Sequence, residues 1–261
     1  MSRLRIGIQL ESLGLPFRRG LEEAQRLGAA GAQVDAVGDF APDQLSQTGR
    51  RELRHLLRAH NLELTALGCP LRRGFEAPEN QEARIEHVKK VMALSFDLGA
   101  RLVIVNAGKV PAAETADANL MSEALRTLGQ YGNRIGATLT LATGLDSPEA
   151  LAAYLDRFDT GSLGVNLDPA GLLLAGFDPI ASVRTLHQRI RHVHARDARF
   201  SSARRESQEV PLGHGDIDWV QFLGALEEIE YRSWLTIVRQ AGEACLVDIQ
   251  SAVAFLRRLG V

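Results

Sequence analysis

Residues 190–197 read Ile-Arg-His-Val-His-Ala-Arg-Asp, the pattern of a short strand that ends in charged and metal-binding side chains. Because side chains alternate between the two faces of a strand, His192, His194 and Arg196 share one face. Asp197 adds a carboxylate where the strand ends. Such groups are costly to bury without hydrogen-bond or metal partners. The stretch therefore predicts a strand that carries a functional site at its C-terminal end.

The rest of the chain alternates short apolar runs with longer amphipathic stretches. The predicted strands cover residues 4–10, 32–37, 63–67, 102–106, 138–142, 163–168, 190–196 and 234–238. The predicted helices cover residues 16–27, 49–60, 78–98, 115–135, 148–158, 178–187, 219–229 and 244–259. Each strand–helix unit spans roughly 30 residues, which is the repeat of a (β/α)8 barrel. The sequence therefore predicts a single (β/α)8 TIM barrel, with one domain over residues 1–261.

The alternative architecture is an open, doubly wound parallel sheet, which binds ligands where the strand order reverses. That fold usually carries a glycine-rich turn between a strand and the next helix, and the sequence contains no turn of the dinucleotide-binding type. Residues 198–216 are the longest stretch without a helix or strand pattern. Long insertions of a barrel usually lie on its C-terminal face, so this segment is expected close to the functional site.

Composition restricts the classes of partner. The 261 residues have a formal net charge of −2 and are 45% hydrophobic, which predicts a globular protein without a clustered basic surface for nucleic acid or anionic membranes. Cys69 and Cys245 provide no disulfide framework and fit a reducing compartment. The first residues run directly into a strand pattern without the apolar core of a signal peptide. A cytoplasmic protein is the expectation.

The active sites of such barrels gather at the C-terminal ends of the strands. Asp168 ends the sixth predicted strand and His194 lies near the end of the seventh, so a carboxylate and an imidazole are expected at this mouth. The fifth and eighth strands end in Ala142 and Val238, which cannot accept a proton or bind a metal ion. From the residues alone, a structural Asp168–His194 pair remains an alternative to a ligand site.

Four segments of the second half carry a resemblance to a known family. They are VNLDPAG (165–171), IRHVHARDAR (190–199), VPLGHGDIDW (210–219) and WLTIVRQ (234–240). They resemble the xylose isomerase-like TIM barrels, the sugar phosphate isomerase/epimerase group. ALGCPLRRG (66–74) extends a looser resemblance into the first half. The resemblance implies a small sugar or sugar-like substrate, and it also implies that copies of the chain can pair as a homo-oligomer.

The resemblance further implies a divalent metal ion, Mn²⁺, Mg²⁺ or Zn²⁺, held by two glutamates, an aspartate and a histidine. The glutamates also act as the acid/base pair. Asp168 matches the aspartate and His194 the histidine, whereas Ala142 and Val238 stand where the glutamates would be. Gln240 departs from the family pattern as well. Loss of two carboxylates predicts weak metal binding or none, and it removes the base for proton abstraction next to a carbonyl.

Four further residues are candidates for contact with the substrate. Asp197 and Arg199 follow the histidine strand, where members of this family place polar residues that touch the sugar or orient the histidine. A salt bridge within the loop is the alternative for Asp197. Asn106 follows the fourth strand, and His214 lies in the long segment after the seventh. Loops at this face often carry binding residues.

Three functions remain open at this point. The first is an isomerase or epimerase that keeps a rearranged metal site, and the second is a pseudoenzyme or sugar-binding module of the same fold. The third is a nuclease of the same superfamily, which would need a cluster of His, Asp and Glu ligands for several zinc ions. Four of the seven histidines fall on predicted helices, so the sequence argues against the third.

Overall fold

A computed structural model describes residues 4–112, 115–201, 206–242 and 245–261. The strands are β1 (Arg5–Gln9), β2 (Gly31–Asp35), β3 (Glu63–Cys69), β4 (Leu102–Val105), β5 (Thr138–Ala142), β6 (Leu163–Leu167), β7 (Ile190–Ala195), β8 (Asp197–Ser201), β9 (Glu206–Val210) and β10 (Trp234–Ile237). The helices are α1 (Phe17–Arg26), α2 (Gln47–Ala59), α3 (Gln81–Leu98), α4 (Ala116–Ile135), α5 (Pro148–Leu155), α6 (Pro169–Leu174), α7 (Pro179–Leu186), α8 (Trp219–Glu228) and α9 (Cys245–Arg258).

Eight parallel strands close into a barrel in the order β1-β10-β7-β6-β5-β4-β3-β2. The predicted (β/α)8 barrel is confirmed, and the ends of its eight strands lie within two residues of the predicted ends. Most side chains of these strands are buried, because helices cover the outside of the barrel while the inside is filled by side chains. In the described part of the chain, no helix combines the length and the apolar composition that a membrane crossing requires.

Close packing near the start of the strands depends on a glycine. Gly31 begins β2 opposite the indole of Trp234, and a Cβ atom on Gly31 would lie 2.7 Å from that ring. Higher in the barrel, Thr236 of β10 forms a hydrogen bond to His192 of β7. Inside the barrel, a closely packed layer that contains Gly31 and Trp234 thus lies below a layer of polar side chains. The C-terminal mouth lies above both layers.

The segment predicted to be irregular, residues 198–216, begins with regular structure. β8 and β9 pair as an antiparallel hairpin, from Asp197 opposite Val210 to Ser201 opposite Glu206, while residues 202–205 lie outside the described residues. The hairpin was missed because its sequence is mostly polar, and the alternation of Ala198 and Phe200 in β8 is too short to indicate a strand. The six residues of α6 were missed because they are too few to show a helical period. The predicted start of the last helix, residue 244, also lies outside the described residues, as do residues 1–3 of the predicted domain.

Candidate ligand site at the mouth of the barrel

A cavity of about 500 Å³ opens at the C-terminal ends of the strands. Its polar lining includes four carboxamides (Gln9, Gln33, Asn106 and Gln240), two carboxylates (Asp35 and Asp168), the imidazole of His194 and the guanidinium of Arg196. The hydroxyl of Thr143 and the thiol of Cys69 complete it. The side chains come from strands on all sides of the barrel, because every parallel strand ends at the same mouth. Asp168, His194 and Asn106, which the sequence singles out, therefore lie around one cavity.

Asp168 is both a cavity residue and the N-cap of α6. Its Oδ1 accepts a hydrogen bond from the backbone N–H of Gly171 at 3.0 Å, and its Oδ2 accepts one from Nη1 of Arg196. Its own backbone N–H donates to Oγ1 of Thr143 at 2.9 Å. The aspartate before Pro169 is a standard way to begin a helix. Both oxygens of the carboxylate are thus engaged by the protein itself.

Arg196 belongs to a buried chain of alternating charges that begins at Asp168. Its Nη2 lies 2.8 Å from Oε2 of Glu209, and Oε1 of Glu209 lies 3.1 Å from Nη1 of Arg239. Arg239 in turn contacts Asp248 of α9. Burial by itself would lower the pKa of Arg196, but Asp168 and Glu209 outweigh it and raise the pKa. The chain therefore keeps a permanent cation beside Asp168 and ties the hairpin to the mouth.

His194 belongs to a second buried chain, which is neutral. The amide nitrogen of Asn166 donates to Nδ1 of His194 at 3.0 Å, so Nε2–H of His194 donates to Oε1 of Gln33 at 2.9 Å. The amide oxygen of Asn166 accepts from Nδ1–H of His192 at 2.8 Å, and Thr236 Oγ1 donates to Nε2 of His192 at 2.8 Å. Burial lowers the pKa of both imidazoles, that of His194 to about 3. Both rings are neutral at physiological pH.

These residues do not fit a divalent metal ion. Both ring nitrogens of His194 and both oxygens of Asp168 already have protein partners, and Arg196 places a positive charge where a second cation would be repelled. Ala142 lines the cavity but offers no ligand atom, and Val238 is buried beside a separate small space next to α9. Among the described residues, no three His, Cys, Asp or Glu side chains form a group that could hold a metal ion.

Asp197 has a clear structural task in the loop that follows the hairpin. Its Oδ2 accepts hydrogen bonds from the backbone N–H groups of Gly213 and Gly215 and from Nε1 of Trp219, at 2.9, 3.1 and 3.0 Å. Its Oδ1 accepts from the N–H of Ala198 at 2.9 Å. Asp197 is buried and its hydrogen bonds hold this loop together, and it is not among the residues that line the cavity.

The other sequence candidates separate into two groups. Asn106 lines the cavity, and its Oδ1 accepts from the N–H of Gly108 at 3.2 Å. Arg199 donates to the backbone carbonyl of His214, and the His214 side chain is exposed. Contact of Arg199, Asp197 and His214 with a substrate remains a prediction, and their partners here are parts of the loop.

Two carboxylates at the mouth were missed by the sequence analysis. Asp35 ends β2 and lines the cavity, and its Oδ1 accepts from Nε2 of Gln9 at 3.3 Å. The backbone N–H of Asp35 donates to Oε1 of Glu11 at 2.8 Å. Burial raises the pKa of both side chains, that of Glu11 to about 7 with a further contribution from the charge of Asp35. The position of Asp35 at a strand end was the one available signal.

Comparisons with known proteins agree with this fold. The family described as xylose isomerase-like TIM barrel matches residues 21–259. A xylose isomerase domain protein from Planctomyces limnophilus superposes with a TM-score of 0.88 at 25% identity, over 98% of this chain and 97% of that chain. An L-ribulose 3-epimerase superposes with a TM-score of 0.80 at 19% identity, over 98% of this chain and 94% of that chain, which shows the fold alone.

Among curated protein sequences, an inosose dehydratase of Geobacillus thermodenitrificans (strain NG80-2) is 20% identical over 234 residues. The match covers 77% of this chain and 78% of that protein. Sugar epimerases and an inosose dehydratase are therefore among the proteins that this chain resembles. Because the family match spans nearly the whole barrel, this chain belongs to the xylose isomerase-like TIM barrel family.

Proposed function

We propose that this protein binds a sugar or a sugar-like cyclic polyol at the mouth of its barrel without the help of a divalent metal ion. The observation that carries the proposal is the polar lining of the cavity, in which carboxamides predominate and Asp168 is paired with Arg196. Each carboxamide offers both hydrogen-bond donors and acceptors, as the hydroxyl groups of a sugar do. The names of its relatives support a ligand of this class.

The charges of the lining favour a neutral ligand. The positive charge of Arg196 is shared between Asp168 and Glu209, so it is not free to attract a phosphate or a carboxylate. Asp35 adds a carboxylate on the other side of the mouth, which would repel an anion and can accept hydrogen bonds from hydroxyl groups. A neutral, polyhydroxylated molecule matches both features.

The protein should retain very little metal. After dialysis against metal-free buffer, we expect Mn²⁺, Mg²⁺ and Zn²⁺ far below about one equivalent per chain, because the described residues offer no group of three His, Cys, Asp or Glu ligands. Elemental analysis by mass spectrometry measures the content. Millimolar Mn²⁺ should also leave the melting temperature unchanged, since a ligand that binds the folded state would raise it. Retention of about one equivalent, with a rise in melting temperature, contradicts metal independence.

Filling the cavity should weaken ligand binding. Ala142 lines the cavity and is half-buried, so Ala142→Phe places a ring inside it. In titration calorimetry with D-fructose, D-allulose and an inosose in the presence of EDTA, we expect the wild type to bind at least one of them and Ala142→Phe to bind at least about tenfold more weakly, a loss of about 1.4 kcal/mol. Ala59→Phe, on an exposed position of α2, is the matched control and should bind as the wild type does. Binding that requires added metal, or equal binding by Ala142→Phe, would refute the proposal.

A further inference from the structure

We propose that Asp35 is the acid/base residue of this cavity and moves a proton at the carbon next to the carbonyl group of a bound keto-sugar or cyclic keto-polyol. This inference rests on the proposed binding function and adds a chemical step to it. The step uses no metal ion, and it places the proton-transfer group on β2, on the opposite side of the barrel from β6, which carries Asp168.

The order of the strands supports this placement. Three strands separate β2 from β6 in either direction around the barrel, so these two strands face one another across the mouth. Asp35 ends β2, Asp168 follows β6, and Arg196, the partner of Asp168, follows the neighbouring strand β7. All three residues line the cavity. A ligand in the cavity therefore lies between the Asp35 carboxylate on one side and the Asp168–Arg196 ion pair on the other.

The structure holds Asp35 in place while leaving one of its oxygens available. Oδ1 accepts from Nε2 of Gln9, and Oε1 of Gln9 accepts from Oγ of Ser12 at 2.9 Å. Glu11 binds the backbone N–H of Asp35. Oδ2 accepts no hydrogen bond from any residue that the structure describes. A base that is oriented by neighbours and has one free oxygen is in the arrangement that proton abstraction requires.

The other titratable groups of the lining are less suitable. Asp168 uses both oxygens in the helix cap and in the Arg196 pair, and both ring nitrogens of His194 are engaged. Burial raises the pKa of the Cys69 thiol to about 12, so this thiol stays protonated. Burial also raises the pKa of Asp35 above its usual value, which strengthens Asp35 as a base. Asp35 is thus the carboxylate of the lining that is free to exchange a proton.

The proton transfer by Asp35 needs no cofactor, because every electron pair and proton that moves belongs to Asp35 or to the ligand. The Asp35 carboxylate takes the proton of the C–H bond next to the carbonyl, and the electron pair of that bond forms the C=C bond of an enolate. The carbonyl π pair moves to the oxygen, which can accept a hydrogen bond from a carboxamide N–H group of the lining, such as that of Gln240. The Asp35 carboxylic acid then returns a proton to carbon and the carbonyl re-forms. In D₂O the acid exchanges with solvent, so the carbon acquires deuterium.

Deuterium exchange provides the test. Wild-type protein is incubated in D₂O with D-fructose, D-allulose or an inosose, and proton NMR follows the loss of the C–H signal next to the carbonyl. We expect exchange above the buffer rate for a ligand that binds, and a rate at least about 100-fold lower in Asp35→Asn, whose amide cannot accept the proton. Calorimetry should give the same affinity within about threefold, because the amide still occupies the site. Asp39 is exposed in the segment that follows β2, so Asp39→Asn is the matched control and should exchange as the wild type does.

A second variant moves the carboxylate without replacing it. A Cβ atom on Gly68 of β3 would lie 2.0 Å from Oδ1 of Asp35, so Gly68→Ala displaces the base, and exchange should slow markedly. This variant decides the question if Asp35→Asn does not fold. Wild-type protein that binds a ligand but does not exchange it, or a folded Asp35→Asn that exchanges at the wild-type rate, overturns the role of Asp35 and leaves the binding function intact. Wild-type protein that binds none of the three ligands refutes the proposed function, and this inference with it.

Discussion

Replacement of Arg196 by leucine should lower the free energy of unfolding by roughly 3–5 kcal/mol, the cost of breaking a buried ion pair from one side. The side chains of Asp168 and Glu209 are 8% and 7% exposed, so water cannot solvate the carboxylates that Arg196→Leu leaves behind. Urea denaturation at neutral pH, followed by circular dichroism, measures the change. The loss should be confined to stability, with the m-value unchanged.

Two further variants make the Arg196 experiment specific. Arg184 pairs with Glu228 on the surface, where both side chains are more than half exposed, so Arg184→Leu should cost less than about 1 kcal/mol. Adding Asp168→Asn to Arg196→Leu should recover part of the loss, because asparagine carries no charge and still caps α6. If Arg196→Leu is no more destabilising than Arg184→Leu, the buried chain of charges contributes nothing and our description of the mouth is wrong.

The two buried chains explain how the barrel maintains a polar mouth without a metal ion. In one chain a guanidinium takes the role of the cation beside Asp168, and in the other a carboxamide, Asn166, bridges two neutral imidazoles. Both oxygens of Asp168 and both ring nitrogens of His194, which a metal ion would otherwise engage, then have protein partners, as buried groups of this kind require. The mouth can therefore remain folded and preorganised for a ligand.

The barrel could be predicted from the sequence because its strands and helices have strong apolar periods. The positions of Asp168 and His194 at the mouth follow directly from the strand ends. The partners of these residues could not be predicted in the same way. Glu209 lies on the polar hairpin, 41 residues beyond Asp168 in the sequence, and which charges pair depends on how the hairpin folds over the mouth.

Asp35 and Asp197 show that the sequence alone does not reveal the role of a carboxylate near the mouth. Asp35 is an isolated carboxylate after an apolar run, and sequence alone does not distinguish such a residue from a solvated loop residue. Asp197 stands beside the histidine strand, where the family resemblance suggests a contact with substrate, yet its oxygens bind the N–H groups of Gly213 and Gly215. The need of the Gly213 and Gly215 N–H groups for a buried acceptor leaves no pattern in the sequence.

The free energy of unfolding should fall as the pH falls below about 6.5, because His192 and His194 are neutral in the folded protein. Burial lowers the pKa of both, that of His194 to about 3, whereas in the unfolded chain each imidazole binds a proton near pH 6.5. The unfolded state therefore binds more protons throughout this window. Each histidine should lower stability by about 1.4 kcal/mol per pH unit, and the pair by roughly twice that.

Comparing how steeply the free energy of unfolding depends on pH in several variants separates the contribution of the histidines from that of the other titrating groups. The pKa of Glu11 is raised to about 7, so its carboxyl binds a proton first in the folded state and adds stability as the pH falls towards its unfolded value. Glu11 is unchanged in all variants, so its contribution cancels when the variants are compared.

Between about pH 6 and about pH 5, the free energy of unfolding of His194→Gln should depend on pH less steeply than that of the wild type. The difference should be about 1.4 kcal/mol per pH unit, which is the contribution of one proton. His55→Gln, on the exposed face of α2, should keep the wild-type slope. Equal slopes in wild type and His194→Gln would mean that His194 is protonated in the folded protein, and the neutral hydrogen-bond chain through Asn166 would then be incorrect.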